Sequence, residues 1–177
     1  MWTDNENGTI TFSFSIEELF KQTSLSILYQ ADQYQAREES REEVGMTNDD
    51  FPFFKKLLRD AFDRLFSTVS VYAKYVTEPA PYRFNVDLGA TQDADETNNK
   101  VAITLKMPDT WGVHMKAVLE NHMADALETH VMTAWFKHKL LMDVAGVVEA
   151  KFIEAEKNVR SALHYRNTPA KKKYKYF

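Results

Sequence analysis

Residues 51–76 read FPFFKKLLRDAFDRLFSTVSVYAKYV, and this stretch decides the fold class. Phe54, Leu57, Leu58, Ala61, Phe62, Leu65, Phe66, Val69, Tyr72, Ala73 and Val76 recur at steps of three and four, the period of one helical face. Pro52 needs no amide partner near a helix start, and Glu78-Pro79-Ala80-Pro81 stops the pattern. A stripe this wide must be covered by other helices. A cofactor box built from these aromatics is the remote alternative.

Working toward the amino terminus, Thr9-Ile10-Thr11-Phe12-Ser13-Phe14-Ser15 alternates apolar and hydroxyl residues, as a half-buried strand does. Ser15 stands three before Glu18, the spacing of a capping box. The following helix is predicted to run to about Arg41, with Leu19, Phe20, Thr23, Ile27, Ala31 and Tyr34 on one face. Gly45 and Thr47-Asn48-Asp49-Asp50 break it.

Toward the carboxyl terminus, Tyr82, Phe84, Val86 and Leu88 alternate with polar residues. Val101, Ile103, Leu105 and Met107 alternate with Ala102, Thr104 and Lys106. Two matched segments should pair antiparallel, joined by the long polar connection Gly89–Lys100. Pro108-Asp109-Thr110-Trp111 reads as a stop and a new cap. The next helix should reach about Lys137, with Val113, Ala117, Ala124, Leu127, Val131, Ala134 and Trp135 inward. Between Phe136 and Met142 the spacing does not decide between a tight turn and a kink, and a turn is the expectation. Asp143 then caps a last helix, through about Arg166, whose stripe is Val148, Phe152, Ala155, Val159 and Ala162.

The expected fold is mainly α with a small β element. It is a four-helix bundle-like domain over residues 1–166, with an antiparallel β-hairpin (82–107) between helices 2 and 3. Residues 167–177 form a basic, aromatic tail.

Composition supports a packed core: 177 residues are 44% hydrophobic and 27% charged, with 12 Phe, 8 Tyr and 3 Trp. That size suits one domain. Having no cysteine, the chain excludes disulfides, thiolate metal sites and cysteine nucleophiles, and fits a reducing compartment. Its net charge of −4 argues against a generic nucleic-acid binder. No secretory signal or membrane span is read from the sequence, so no membrane partner is expected.

Motifs for chemistry are missing. His114, His122, His130 and His138 fall eight apart, a spacing that turns each ring about 80° from the last on a helix and prevents convergence on one ion. His122 with Asp125 is their only close pairing. Counted from Asp93, the acidic stretch 92–99 puts Asn98 and Thr104 where a calcium loop needs glycine and a bidentate glutamate. Isolated glycines build no phosphate loop. No catalytic, cofactor-binding or metal-ligating residue, and no cofactor, is therefore assigned. Acids and histidines gathered only by folding would escape this reading, which leaves a helical enzyme as a third hypothesis.

The strongest charge feature is Lys171, Lys172, Lys173, Tyr174, Lys175, Tyr176 and Phe177, which follows Asn167 with no acid. Without those four lysines, 18 basic groups face 26 acids, so the body carries −8. Such a tail suits the acidic body of a neighbouring copy, with its rings in shallow pockets. It also suits phosphates and stacked bases, or simply solvation. Phe51, Phe53, Phe54 and Trp111 at helix starts serve either as staples or as plugs into a neighbour.

The layout resembles the small head–tail connector, or neck-ring, proteins of tailed bacteriophages, especially those of crAss-like phages and related prophages of gut Bacteroidales. The residues that carry the likeness are a strand running into Ser15-Ile16-Glu17-Glu18-Leu19-Phe20 and Leu105-Lys106-Met107-Pro108 before Trp111. Trp135 near a helix end, and Arg160, Leu163 and Arg166 ahead of Pro169 and the lysines, add to it. The long 89–100 connection and lysine in place of arginine depart from that pattern. The resemblance implies a non-enzymatic virion protein of the neck, made in the host cytoplasm. Its copies would close into a ring, often twelvefold, binding portal and adjoining neck or tail proteins. DNA would pass through without sequence-specific binding, past an acidic lining. The rival is a small binding module whose basic tail contacts nucleic acid.

Overall fold

Strand gives way to helix at Ser15, whose hydroxyl accepts a hydrogen bond from the Glu18 amide at 3.4 Å. The structure, a computed structural model, describes residues 2–4, 8–34, 44–76, 82–85 and 99–166. Its elements are β1 (Trp2–Asp4), β2 (Thr9–Ser15), α1 (Ile16–Tyr34), α2 (Phe51–Ala73), β3 (Tyr82–Asn85), β4 (Lys100–Lys106), α3 (Lys116–His138) and α4 (Met142–His164). The chain is mostly helical with a small antiparallel sheet. The expected extension of the first helix to Arg41, and strand residues 86–88, lie outside the described residues.

The sheet has four strands, where an antiparallel hairpin over 82–107 was expected. Its order is β1-β2-β4-β3, with β3 pairing β4 through Tyr82↔Ile103 and Phe84↔Val101. But β4 also pairs along its whole length with β2, from Thr9↔Lys106 to Ser15↔Lys100. The pleat explains why: Ile10, Phe12 and Phe14 lie opposite Leu105, Ile103 and Val101, all six buried on one face. On the other face the Thr11 and Thr104 hydroxyls meet at 2.9 Å. Two strands with the same alternation, 93 positions apart at Thr11 and Thr104, thus share one buried face.

Strand β1, which sequence reading missed, is three exposed residues paired to β2. Lys116, the first residue of α3, holds it: its Nζ lies 2.6 Å from Asp4 Oδ2 and 4.5 Å from the Trp2 ring centroid. A cation at a helix N-terminus opposes the helix dipole, and the Asp4 carboxylate offsets it.

Helix α2 follows its predicted stripe, with Phe66 alone among those residues only half-buried. A short 3-10 turn leads into it, where Thr47 donates from its amide (2.8 Å) and its hydroxyl (2.9 Å) to Asp50 Oδ2. The aromatics at the helix starts are used internally. Phe51 and Phe54 pack on Phe20 of α1, with ring centroids 5.0 and 5.1 Å apart. Phe53 lies against Trp135 and His138. Trp111 is buried, and its Nε1–H donates to the Ala162 carbonyl at 2.8 Å.

Helix α3 overturns part of its predicted face. Val113 is 64% exposed in a 3-10 turn before the helix, and Ala117 is exposed. Leu119, Met123, Ala126, Met132 and Phe136 are buried with the expected Leu127, Val131 and Trp135, while Ala124 and Ala134 are half-buried. The physical reason is position. This helix packs on α4 most extensively and also on α1 and α2, so apolar residues surround it and no single phase stands out.

The turn after α3 is a Schellman motif, in which the Leu141 amide donates to the Phe136 carbonyl (2.9 Å) and the Leu140 amide to that of Lys137 (3.1 Å). Leu140 carries φ +59° and is 80% exposed. A left-handed non-glycine costs about 1 kcal/mol, so Leu140→Gly should raise stability by about 1 kcal/mol in chemical denaturation. Leu141 occupies the N-cap of α4 and Asp143 lies within the first turn, which corrects the predicted cap. There the carboxylate still favours the helix dipole.

Candidate interaction surfaces

Lys171, Lys172, Lys173, Tyr174, Lys175, Tyr176 and Phe177 lie outside the described residues, as do residues 89–98. The structure does describe where the tail begins. Arg166 donates from Nη1 to the carbonyls of Leu163 and Tyr165, both at 2.9 Å, and from Nη2 to the Tyr72 hydroxyl at 3.3 Å. Tyr72 in turn donates to the Leu163 carbonyl at 3.2 Å. The chain is thus clasped to the C-terminal end of α2 one residue before the tail.

The histidines do not converge. His114 is edge-on to Tyr165, His138 lies on Phe53, and His164 meets Tyr72. His130 is edge-on to Phe152, with centroids 4.9 Å apart. Burial is the main cause holding its imidazole below the usual 6.5, aided by the Arg64 charge. Among the described residues, no group of three His, Asp or Glu side chains is placed to hold a metal.

Glu156 is a buried carboxylate, at 7% exposure. Arg64 of α2 donates from Nε (2.9 Å) and Nη2 (3.3 Å) to its two oxygens, and Thr68 adds a bond at 3.3 Å. These bonds, Arg64's first, hold its carboxyl below the ordinary 4.5 against the opposing effect of burial.

Two surface clefts stand out. One, of about 310 Å³, lies between α1, α3 and α4. Asp125, Glu128 and Glu154 line it with Lys151, and Gln30 reaches it from α1. Gln30 is 93% buried, and its Oε1 has no hydrogen-bond partner among the described residues. The predicted pair divides here: Asp125 lines this cleft, whereas His122 does not. The second cleft, of about 470 Å³, is mostly apolar and lined by Val71, Tyr72, Tyr75, Met107 and Pro108, together with Lys106 and Asp109.

Exposed apolar residues form a further surface that sequence reading missed. Leu25, Leu28 and Tyr29 on α1 are 68%, 39% and 61% exposed. Their i, i+3, i+4 spacing was the available signal, hidden behind the stronger stripe of Phe20, Ile27 and Ala31 on the same helix. Val71 and Tyr75, near the C-terminal end of α2, are exposed to similar degrees. No described helix is long and apolar enough to cross a membrane. The chain matches no protein-family model, no curated protein and no solved structure.

Proposed function

We propose that this chain is a structural subunit of a bacteriophage virion, closing into a ring in the head-to-tail connector and linking portal to tail components around the DNA channel. In this reading the four helices are a bundle-like body, and the strand pair between α2 and α3 is its β element. The observation that carries it is the presence of unlike exposed patches at separate places. An apolar ridge of Leu25, Leu28 and Tyr29 lies on α1, and an apolar cleft around Val71 and Tyr75 lies at the far end of α2. A ring needs a heterologous interface, in which one surface meets a different surface of the next copy. The sequence adds an acidic body with a basic end, which gives that contact a direction.

The test is the mass of the purified chain at high concentration, alone and with portal or virion neck proteins. A closed ring, expected with twelve copies, that binds those proteins supports the reading. A chain that stays monomeric and joins none of them overturns it. A monomer that binds DNA or RNA through its tail, with steep salt dependence, replaces it with the nucleic-acid module.

A further inference from the structure

The acidic cleft between α1, α3 and α4 is unexplained by the packing of the body. Three carboxylates converge on it against one lysine, and nothing within the described residues satisfies the Gln30 carbonyl oxygen at its edge. A buried amide oxygen without a donor is costly, so the arrangement suits an incoming chain rich in N–H groups and positive charge. We propose that this cleft receives the Lys171–Phe177 segment of a second copy, whose lysines meet Asp125, Glu128 and Glu154 and whose N–H donors reach Gln30. The inference rests on the ring reading and names the contact that would join neighbours.

Three observations select this occupant. Four lysines without an acid are the complement of three carboxylates with one lysine. The tail's rings have apolar surface to meet, because Leu25 and Tyr29 are exposed on the helix that carries Gln30.

Direction supplies the third. On α4, Glu154 faces the cleft, whereas Leu163, whose carbonyl accepts from Tyr72 of α2, sits about 180° around the same helix. Arg166 is clasped on that far side. A tail from the same chain would have to pass around α4 and double back about 18 Å along it. A neighbour's tail meets no such reversal, and eleven residues extend up to about 36 Å, enough to cross a subunit boundary.

The experiment uses the full chain, mixed in equal parts in unlabelled and 15N-labelled form and treated with a zero-length carbodiimide that joins lysine to carboxylate. Links from Lys171–Lys175 to Asp125, Glu128 or Glu154 that join a light copy to a heavy one are the expected result. Asp125→Lys, at an exposed position, should cut the remaining links to Glu128 and Glu154 about fivefold. If the tail links only within its own copy, the cleft is closed in cis and the inference is overturned. If a ring forms but its links fall elsewhere, the inference fails and the ring reading stands. If no copies associate at all, both fail.

Discussion

Trp135→Ala lowers the stability of the chain by about 4 kcal/mol, the largest single loss expected in this fold. Trp135 is 1% exposed near the C-terminal end of α3. It does two things there. Its ring packs against Phe53 of α2, with centroids 6.0 Å apart, and under Lys139, whose Nζ is 4.9 Å from its own centroid. Its Nε1–H also donates to the Val44 carbonyl at 2.7 Å, tying the segment that precedes α2 onto α3. Alanine removes both and leaves a cavity at a place where two helices and a chain segment meet.

A second substitution separates these roles. Trp135→Phe keeps most of the packing but orphans the Val44 carbonyl, at a cost of about 1–2 kcal/mol. Thermal unfolding should show it, since each kcal/mol moves the midpoint by roughly 2–4 °C in a chain of this size. Equal losses for the two variants would mean that the hydrogen bond, and not the ring volume, is what matters.

Helix α2 was legible because it faces water on one side and the core on the other, so its apolar stripe has one phase. The same holds for α4, whose Val148, Phe152, Ala155, Val159 and Ala162 are all buried. Helix α3 has neighbours on several sides, and there periodicity lost its meaning: Met123, Ala126 and Met132 are as buried as the residues selected by spacing. Strand alternation in 9–15 and 101–106 was visible, but pairing is not a local property. Thr11 and Thr104 are 93 positions apart, and only the matching alternation hints that β2 chooses β4.

The acidic cleft was illegible for a related reason. Its side chains come from three helices: Gln30 from α1, Asp125 and Glu128 from α3, Lys151 and Glu154 from α4. Asp125 and Glu154 are 29 positions apart and Gln30 lies 95 before Asp125, so the carboxylates look like ordinary solvated charge in sequence. Leu140 shows the opposite case, a position where sequence misleads. Residues 136–142 contain no glycine to announce a left-handed turn, and the Schellman geometry is met at a leucine because Phe136 and Leu141 on either side are drawn onto the core.

The second large effect belongs to Arg64→Met, expected to cost about 2 kcal/mol at pH 7 by leaving the Glu156 carboxylate buried without its main donor. Arg64 itself is 55% exposed at the side chain, so its own desolvation contributes little, and the loss comes from Glu156. The pH dependence identifies the mechanism. In the wild type, the Glu156 carboxyl titrates below its unfolded value of 4.5, chiefly because Arg64 bonds to it. The unfolded chain therefore takes up that proton first, and the stabilisation, complete above pH 4.5, is lost as the pH falls through the folded value.

His130 acts in the same sense from a higher starting point. Its folded value is depressed below 6.5 by burial and then by Arg64, so acid begins to weaken the fold below pH 6.5. In Arg64→Met the main cause lowering the Glu156 value is gone, and burial instead disfavours its charged form. The wild-type and variant curves should therefore converge as the pH falls below 4.5, because a protonated Glu156 no longer needs Arg64. A loss that stays constant from pH 7 to acid would place the cost in packing against Phe152, over which Arg64 lies at 5.8 Å, and not in the ion pair. The double variant Arg64→Met/Glu156→Met removes both charges at once, and should recover most of the lost stability because an apolar pair needs no desolvation.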